Sequence, residues 1–277
     1  MDNKILEIFI PGPAGRLEAK YYKSKKNTSP IALVLQPHPQ YGGTMNNKVV
    51  VDTFHAFMDN DFSVCRVNFR GVGKSDGEFD NGQGELADAA AALDWLEREN
   101  FDNSQCWVSG FSFGSLIAMQ LLMRRPEINR FIAISPQPNV YDFSFLSPCP
   151  TSGLVVYGKK DELVPVEYIT ELDKRLSSQK GIKVEFSAIS EANHFFSKTS
   201  DTLVKQLDKY VKKESYFIRS GENNMIESFK LSKRSLNKLF ENSSMDVNRI
   251  LAYIDSSNLS YKDESDVIKM LEFAFSK

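Results

Sequence analysis

Hydrophobic residues along this chain come in short apolar runs that alternate with longer amphipathic stretches. The runs lack the strict polar-apolar alternation of a half-exposed strand, which is typical of strands buried on both faces of a parallel sheet. They are residues 31–35, 62–69, 106–110, 131–135, 153–158 and 183–189. Apolar positions at helical spacing predict helices between and after them, over residues 46–60, 85–100, 115–125, 166–177 and 201–213. This order predicts an α/β fold with a mostly parallel, doubly wound sheet.

The two ends of the chain differ from this pattern. Residues 4–10 and 16–22 are two extended segments separated by "PGPAG", which predicts an antiparallel hairpin with a loose loop at one edge of the sheet. From about Ser220 the strand signal disappears. Three amphipathic stretches predict an all-helical C-terminal extension, over residues 226–244, 245–257 and 263–277. The expected organisation is therefore a main domain over residues 1–218 and a helical extension over 219–277.

The stretch "NFRGVGKSDG" contains Gly73, Lys74 and Ser75, the last three positions of a nucleotide-binding P-loop. The first glycine of that motif should stand five residues before Gly73, where the sequence has Asn68. Turn-forming residues also follow the serine, whereas a P-loop requires a helix there. The stretch therefore predicts a sharp turn after a strand and no nucleotide site.

The motif that carries chemistry is G-x-S-x-G, formed by Gly110, Ser112 and Gly114 between an apolar strand and an apolar helix. In this context the serine occupies a strained turn that lifts its hydroxyl above the sheet. The strand and the helix approach so closely that the flanking positions require glycine. Ser112 is therefore the candidate nucleophile.

A serine hydroxyl needs a general base, usually a histidine that a carboxylate orients. In a strand-turn-helix arrangement of this type the acid and then the histidine follow the serine. His194 is the only histidine after Ser112, and it lies just beyond the last predicted strand. The carboxylate should follow the preceding strand, which favours Asp161, with Glu162 as the second choice and Asp142 as a weaker alternative.

Acyl transfer also requires N–H donors for the oxyanion. Phe113, directly after the nucleophile, should supply one, and the loop after residues 31–35 the other. Pro39 has no N–H, so the expected donor is Gln40, with Tyr41 in reserve. His38 is expected to brace this loop. The remaining residues considered for chemistry have structural interpretations: His55 as a packed or partly exposed helix residue and Cys106 as a buried small hydrophobic residue in a strand.

Together these residues resemble the α/β-hydrolase superfamily, and they are most similar to its compact bacterial members without a lid and of undefined substrate. The resemblance covers about residues 5–212 and includes the loops "PHPQYGGTMNNKVV" and "NFRGVGKSDGEFDNGQGE". It implies that Arg70 begins a turn that shapes the wall of the site. It says nothing about the substrate, and it does not extend to the helical extension.

Only residues 136–152 separate the fourth and fifth apolar runs, which is too short for an inserted lid and favours a small or extended soluble substrate. Aromatic side chains are available to line the pocket: Tyr41, Phe111, Phe113, Phe143 and Phe145.

Composition and charge restrict the remaining functional classes. The chain has 277 residues, of which 42% are hydrophobic and 25% charged, with a formal net charge of −2, so it lacks the positive charge that attracts nucleic acid. No apolar run is long enough to span a membrane, and the first residues do not form a signal peptide pattern. The cysteines Cys65, Cys106 and Cys149 are widely spaced, which predicts reduced thiols and a cytoplasmic protein. No motif calls for a metal or another cofactor.

The expected function is hydrolysis of an ester, thioester or amide of a small acyl substrate through an acyl-enzyme. Alternatives on the same triad are acyl transfer to another acceptor and prolyl-type peptidase activity. A third alternative is an inactive hydrolase domain that serves as a scaffold. In that case the C-terminal helices would bind a protein partner; self-association and covering of the site are also open for them.

Overall fold

The computed structural model describes residues 4–214, 217–220, 225–228, 232–241, 245–261 and 263–275. The main sheet has eight strands in the order β1-β2-β4-β3-β5-β6-β7-β8. They are β1 (Leu6–Gly12), β2 (Gly15–Tyr22), β3 (Ile31–Leu35), β4 (Ser63–Val67), β5 (Cys106–Phe111), β6 (Ile128–Ile134), β7 (Gly153–Gly158) and β8 (Val184–Ile189). Strands β3 to β8 pair in parallel. The predicted doubly wound sheet is confirmed.

Five helices cover the two faces of this sheet. They are α1 (Lys48–Met58), α2 (Gln83–Glu99), α3 (Phe113–Leu122), α4 (Val166–Ser177) and α5 (Ser200–Glu214). Helices α1 and α5 share one apolar core with the sheet, while α2, α3 and α4 share the other. Apolar side chains therefore fill both sides of the central strands, which is why those strands read as continuous apolar runs.

The N-terminal hairpin forms at the edge of the sheet, as predicted, with β1 and β2 antiparallel. The expectation of a loose loop is wrong, because Gly12 pairs directly with Gly15 and only Pro13 and Ala14 lie between the strands. Gly15 has a φ of +120°, a backbone conformation that glycine adopts without a steric penalty. Two glycines in five residues thus allowed a tight turn.

The chain divides into two compact units, the first ending at Val211 and the second beginning at Lys212. The second unit contains α6 (Lys233–Phe240), α7 (Val247–Ser256) and α8 (Glu264–Phe275), and these helices confirm the helical part of the extension. Its own apolar cluster consists of Leu236, Phe240, Ile250, Ile254, Val267, Met270 and Ala274. The domain boundary at 218/219 stays a prediction.

The start of the helix predicted over 226–244 is wrong. Residues Met225–Ser228 form strand β10, which pairs antiparallel with β9 (Phe217–Ser220) in a separate two-stranded sheet. The second unit therefore contains a two-stranded sheet in addition to its helices. Four-residue strands are too short for alternation to distinguish them from the first turn of an amphipathic helix.

Candidate active site

Ser112 lies in a sharp turn between β5 and α3, with φ +55° and ψ −118°. Such a conformation is strained for a residue other than glycine and persists only where the surrounding structure enforces it. A Cβ at Gly110 would overlap the carbonyl oxygen of Gly114, and a Cβ at Gly114 would overlap that of Gln36. Both glycines are therefore required by close backbone approach, as the motif predicts.

Replacing Gly110 by alanine should destabilise the first unit by about 2 kcal/mol or more, because the new methyl group meets backbone that can move only with the whole turn. Urea denaturation measures this change. Gly181→Ala is the matched control, since a Cβ there has nothing within 4 Å and adds only the strain of its φ of +86°. Equal losses in both variants would show that the contact with Gly114 costs nothing.

His194 contacts both Ser112 and Asp161. Its Nε2 lies 3.0 Å from Ser112 Oγ, and its Nδ1 lies 2.8 Å from Asp161 Oδ2. Asp161 follows β7 and His194 follows β8, so the carboxyl ends of neighbouring parallel strands bring both to the turn at the end of β5. The three side chains predicted from the sequence are thus in one hydrogen-bonded chain.

The Asp161 carboxylate is held in place by the backbone that follows it. Its Oδ1 accepts hydrogen bonds from the N–H groups of Leu163 (2.9 Å) and Val164 (3.0 Å), which leaves Oδ2 for the histidine. The side chains of Asp161 and His194 are each only 2% exposed. Low exposure strengthens the interaction between them and excludes competing water.

The alternative carboxylates lie elsewhere. Glu162 is exposed. Asp142 is exposed as well and accepts hydrogen bonds from the backbone and hydroxyl of Ser144, which lower the pKa of its carboxyl. Geometry therefore favours Asp161 as the partner of His194.

The two predicted oxyanion donors differ in availability. Phe113 is the first residue of α3, so its N–H has no acceptor within the helix. The Gln40 N–H instead donates to His38 Nδ1 at 3.2 Å, and the N–H of the reserve candidate Tyr41 donates to the His38 carbonyl at 3.2 Å. A role for Gln40 would require the His38 ring to release it.

His38 is surrounded by aromatic rings. The centroids of Tyr41, Phe79 and Phe113 lie 4.7, 4.9 and 4.8 Å from that of the imidazole, and Tyr141 packs edge-on against Phe113 at 6.0 Å. Burial lowers the pKa of His38, against a smaller opposing effect of Glu85. These rings form an aromatic wall beside the turn that carries Ser112.

Arg70 lies in the turn after β4 and is bonded to α2. Its guanidinium makes two hydrogen bonds to Asp88 of α2, at 3.0 and 2.8 Å, and these bonds raise the pKa of the arginine. Asp88 is fully buried, so this pair connects the turn after β4 to α2 inside the domain. The turn that Arg70 begins leads to Phe79, and Phe79 is the part that contacts His38.

Sequence reasoning missed two amides near the site. Gln36, fully buried at the end of β3, accepts from Phe69 N at 3.0 Å and donates to Gly43 O at 2.8 Å, so it braces the loop that carries His38. Gln137, after β6, places its Oε1 3.0 Å from Ser112 Oγ. The available signal was their position, since a polar residue directly after a buried parallel strand lies at the edge where ligands bind.

The aromatic residues Phe143 and Phe145 stack on each other at 6.0 Å. Phe143 lines a cavity of about 180 Å³ together with Pro138, Tyr141, Asp142, Tyr168, Glu171, Leu172 and Arg175. None of the three residues of the hydrogen-bonded chain lines this cavity. It shares Tyr141 with the aromatic wall, and the segment between β6 and β7 contains one short 3-10 helix, Ser144–Leu146.

In the part of the chain that the structure describes, histidine, cysteine and acidic side chains do not group in a way that could hold a metal ion. Among the same residues, every helix is too short or too polar to cross a bilayer.

The strained serine turn, the sheet topology and the hydrogen-bonded histidine define an α/β serine hydrolase. The chain belongs to the X-Pro dipeptidyl-peptidase (S15) family, whose model matches residues 13–238. An uncharacterized protein of Rickettsia prowazekii, RP471, is 49% identical over 209 residues, which are 74% of this chain and 88% of that protein.

Solved structures support the assignment to the α/β serine hydrolases. The Agrobacterium tumefaciens protein ATU1826, described as a candidate α/β hydrolase of unknown function, is 50% identical with a TM-score of 0.74, covering 75% of this chain and 95% of its own. An α/β serine hydrolase homologue of Coxiella burnetii is 35% identical with a TM-score of 0.68, covering 76% and 98%. XC6422 of Xanthomonas campestris, described as a serine hydrolase without a lid, is 26% identical with a TM-score of 0.67, covering 76% and 95%.

Proposed function

We propose that the protein cleaves a carboxylic ester, thioester or amide of a small to medium-sized soluble substrate through an acyl-enzyme. In this mechanism Ser112 attacks the carbonyl carbon, and its proton passes to His194 Nε2. Asp161 stabilises the imidazolium that forms, and His194 then protonates the leaving group. Water, activated by His194, releases the acyl group and restores the serine.

The observation that carries this proposal is the continuous chain from Asp161 through His194 to Ser112, with distances of 2.8 and 3.0 Å. Such a chain sets the histidine tautomer, because the carboxylate accepts the Nδ1 proton and leaves Nε2 free to receive one. The N–H of Phe113 at the start of α3 is the proposed oxyanion donor, and Gln40 is the second donor once His38 releases it.

A fluorophosphonate probe tests the nucleophile directly, since it phosphonylates only an activated serine. We expect stoichiometric labelling, located by peptide mass spectrometry on the peptide that contains Ser112. Heat-denatured protein is the control and should remain unlabelled. Labelling at another serine, or none at all in folded protein, would refute the proposal.

The family match favours one narrower candidate, release of a dipeptide that ends in proline. It rests on the S15 model over residues 13–238. An Xaa-Pro p-nitroanilide tests for the peptidase activity, and p-nitrophenyl acetate tests for esterase activity. If the protein is a peptidase of this type, its kcat/KM for the Xaa-Pro p-nitroanilide should exceed that for the p-nitroanilide of a single amino acid. If the protein hydrolyses p-nitrophenyl acetate and cleaves neither anilide, the peptidase candidate is rejected and the broader hydrolase function is retained.

We place this activity in residues 1–218 and treat residues 219–277 as a separate domain, because the latter have an apolar cluster of their own. We also assign the protein to the cytoplasm, since Cys65, Cys106 and Cys149 are all free and buried, as in proteins of reducing compartments.

A further inference from the structure

The Ser112 hydroxyl has two hydrogen-bonding neighbours at the same distance. His194 Nε2 and Gln137 Oε1 both lie 3.0 Å from Ser112 Oγ. Only the first belongs to the hydrogen-bonded chain described above. The proposed mechanism gives Gln137 no role. Its direct contact with the nucleophile therefore requires an explanation.

The hydroxyl cannot serve both neighbours at once. With the Nδ1 proton donated to Asp161, Nε2 of a neutral imidazole is an acceptor, and an amide oxygen is only an acceptor. A serine hydroxyl has one hydrogen. It therefore points either to His194, where proton transfer can occur, or to Gln137, where it cannot.

The backbone holds Gln137 in this position. The N–H of Ser112 donates to Ile134 O at 2.8 Å, which ties the nucleophile turn to the end of β6. The carbonyl of Gln137 accepts from the N–H groups of Val140 and Tyr141, at 3.0 and 2.9 Å. The contact is therefore part of a well-connected loop.

A second tie joins the same loop to the acid. Asn139 Nδ2 donates to Leu163 O at 2.9 Å, and Leu163 N in turn donates to Asp161. The segment that carries Gln137 is thus anchored at the nucleophile and beside the carboxylate. The backbone of Gln137 is therefore held between the turn that carries Ser112 and the loop that carries Asp161.

We propose that Gln137 is a positioning residue that competes with His194 for the hydrogen of the Ser112 hydroxyl in the resting enzyme, so that the hydroxyl points to His194 in only a fraction of the molecules. This inference rests on the proposed function. Only the fraction of molecules in which the hydroxyl points to His194 can acylate. A neutral hydrogen bond of this kind shifts such a population by about two- to tenfold.

The test replaces Gln137 by methionine, which is unbranched and of similar length but a poor acceptor. The pseudo-first-order rate of inactivation by a small fluorophosphonate reports acylation-like attack by Ser112 without substrate recognition. We expect this rate to rise about two- to tenfold. Gln83→Met, at the exposed first residue of α2, is the control for replacing a glutamine by methionine. It should leave the inactivation rate unchanged.

Nitrogen-15 NMR of protein labelled at its three histidines gives a second measurement. The chemical shift of His194 would not change if Gln137 had only a structural role. In the Gln137→Met variant the hydroxyl has only Nε2 as an acceptor, so the Nε2 resonance of His194 should move upfield. His38 and His55 serve as internal references. The Ser112→Ala variant identifies the resonance, because it removes the donor.

The proposal requires both changes, and the absence of either in folded protein overturns it. If the Gln137 amide is instead turned so that its own Nε2 faces Ser112, it donates a hydrogen bond to the nucleophile. Replacing Gln137 would then slow inactivation, and slower inactivation also overturns the proposal. If the methionine variant does not fold, Gln137→Leu repeats the measurement. Failure of the proposed function is distinct, since the parent protein itself would then not be labelled at Ser112.

Discussion

Replacing Ser112 by alanine is expected to lower kcat for p-nitrophenyl acetate by several orders of magnitude, on the order of 10⁶-fold as in other enzymes of this type. The variant keeps the Cβ and loses only the hydroxyl, so the nucleophile disappears while the backbone of the turn is unchanged. Oxyanion donors and substrate binding would sustain the small remaining rate. Steady-state hydrolysis, corrected for the spontaneous reaction, measures the loss.

Two checks make this result specific to the nucleophile. The thermal unfolding of Ser112→Ala should match that of the parent, because the site is left without a buried charge. Ser178→Ala, exposed at the C-terminal end of α4, removes a hydroxyl elsewhere and should retain full activity. Turnover of Ser112→Ala within tenfold of the parent would mean that another group performs the attack.

Replacing Asp161 by asparagine should reduce kcat by about 10⁴-fold with little change in KM. An amide NH₂ placed where Oδ2 now lies cannot accept the Nδ1 proton, so the ring adopts the other tautomer and Nε2 no longer accepts from Ser112. The bonds from Leu163 and Val164 to Oδ1 can persist in the amide, which preserves the loop. Separate kcat and KM values on the same ester measure this effect.

Glu162→Gln is the matched control, because it neutralises the neighbouring carboxylate, which is exposed. It should leave kcat within about twofold, since an exposed charge contributes little. If Glu162→Gln lost more activity than Asp161→Asn, the acid would be the neighbour and the geometry of the Asp161–His194 pair would have no catalytic meaning.

Most of the first unit could be predicted from hydrophobic pattern alone. Strands β3 and β7 begin and end at the residues expected, because both are short apolar runs bounded by turn-forming or polar residues. Helix α4 also matches its predicted bounds, since Pro165 marks its beginning. Where short elements depend on pairing partners, prediction failed: β10 was taken for the start of a helix, because its four residues carry no distinguishing period.

The candidate site shows the same division. Ser112, Asp161 and His194 could be chosen from the sequence because a motif fixes the serine and chain order restricts the other two. The Gln40 N–H was chosen by eliminating proline, a step that cannot detect its bond to His38. Gln137 was not chosen at all, because its contact with Ser112 joins residues from different strand ends and depends on a side-chain rotamer.

By itself, then, the sequence determined the order of strands and helices in the first unit, the glycines that the serine turn requires, and the residue types available for acyl transfer. These follow from local steric rules and from burial patterns that repeat along the chain. Tertiary structure alone decided that the Gln137 amide contacts Ser112, that Arg70 pairs with Asp88, and which N–H groups are already engaged. Such contacts form between residues far apart in the chain, so their distances are set by the packing of strands and loops, and no local pattern encodes them.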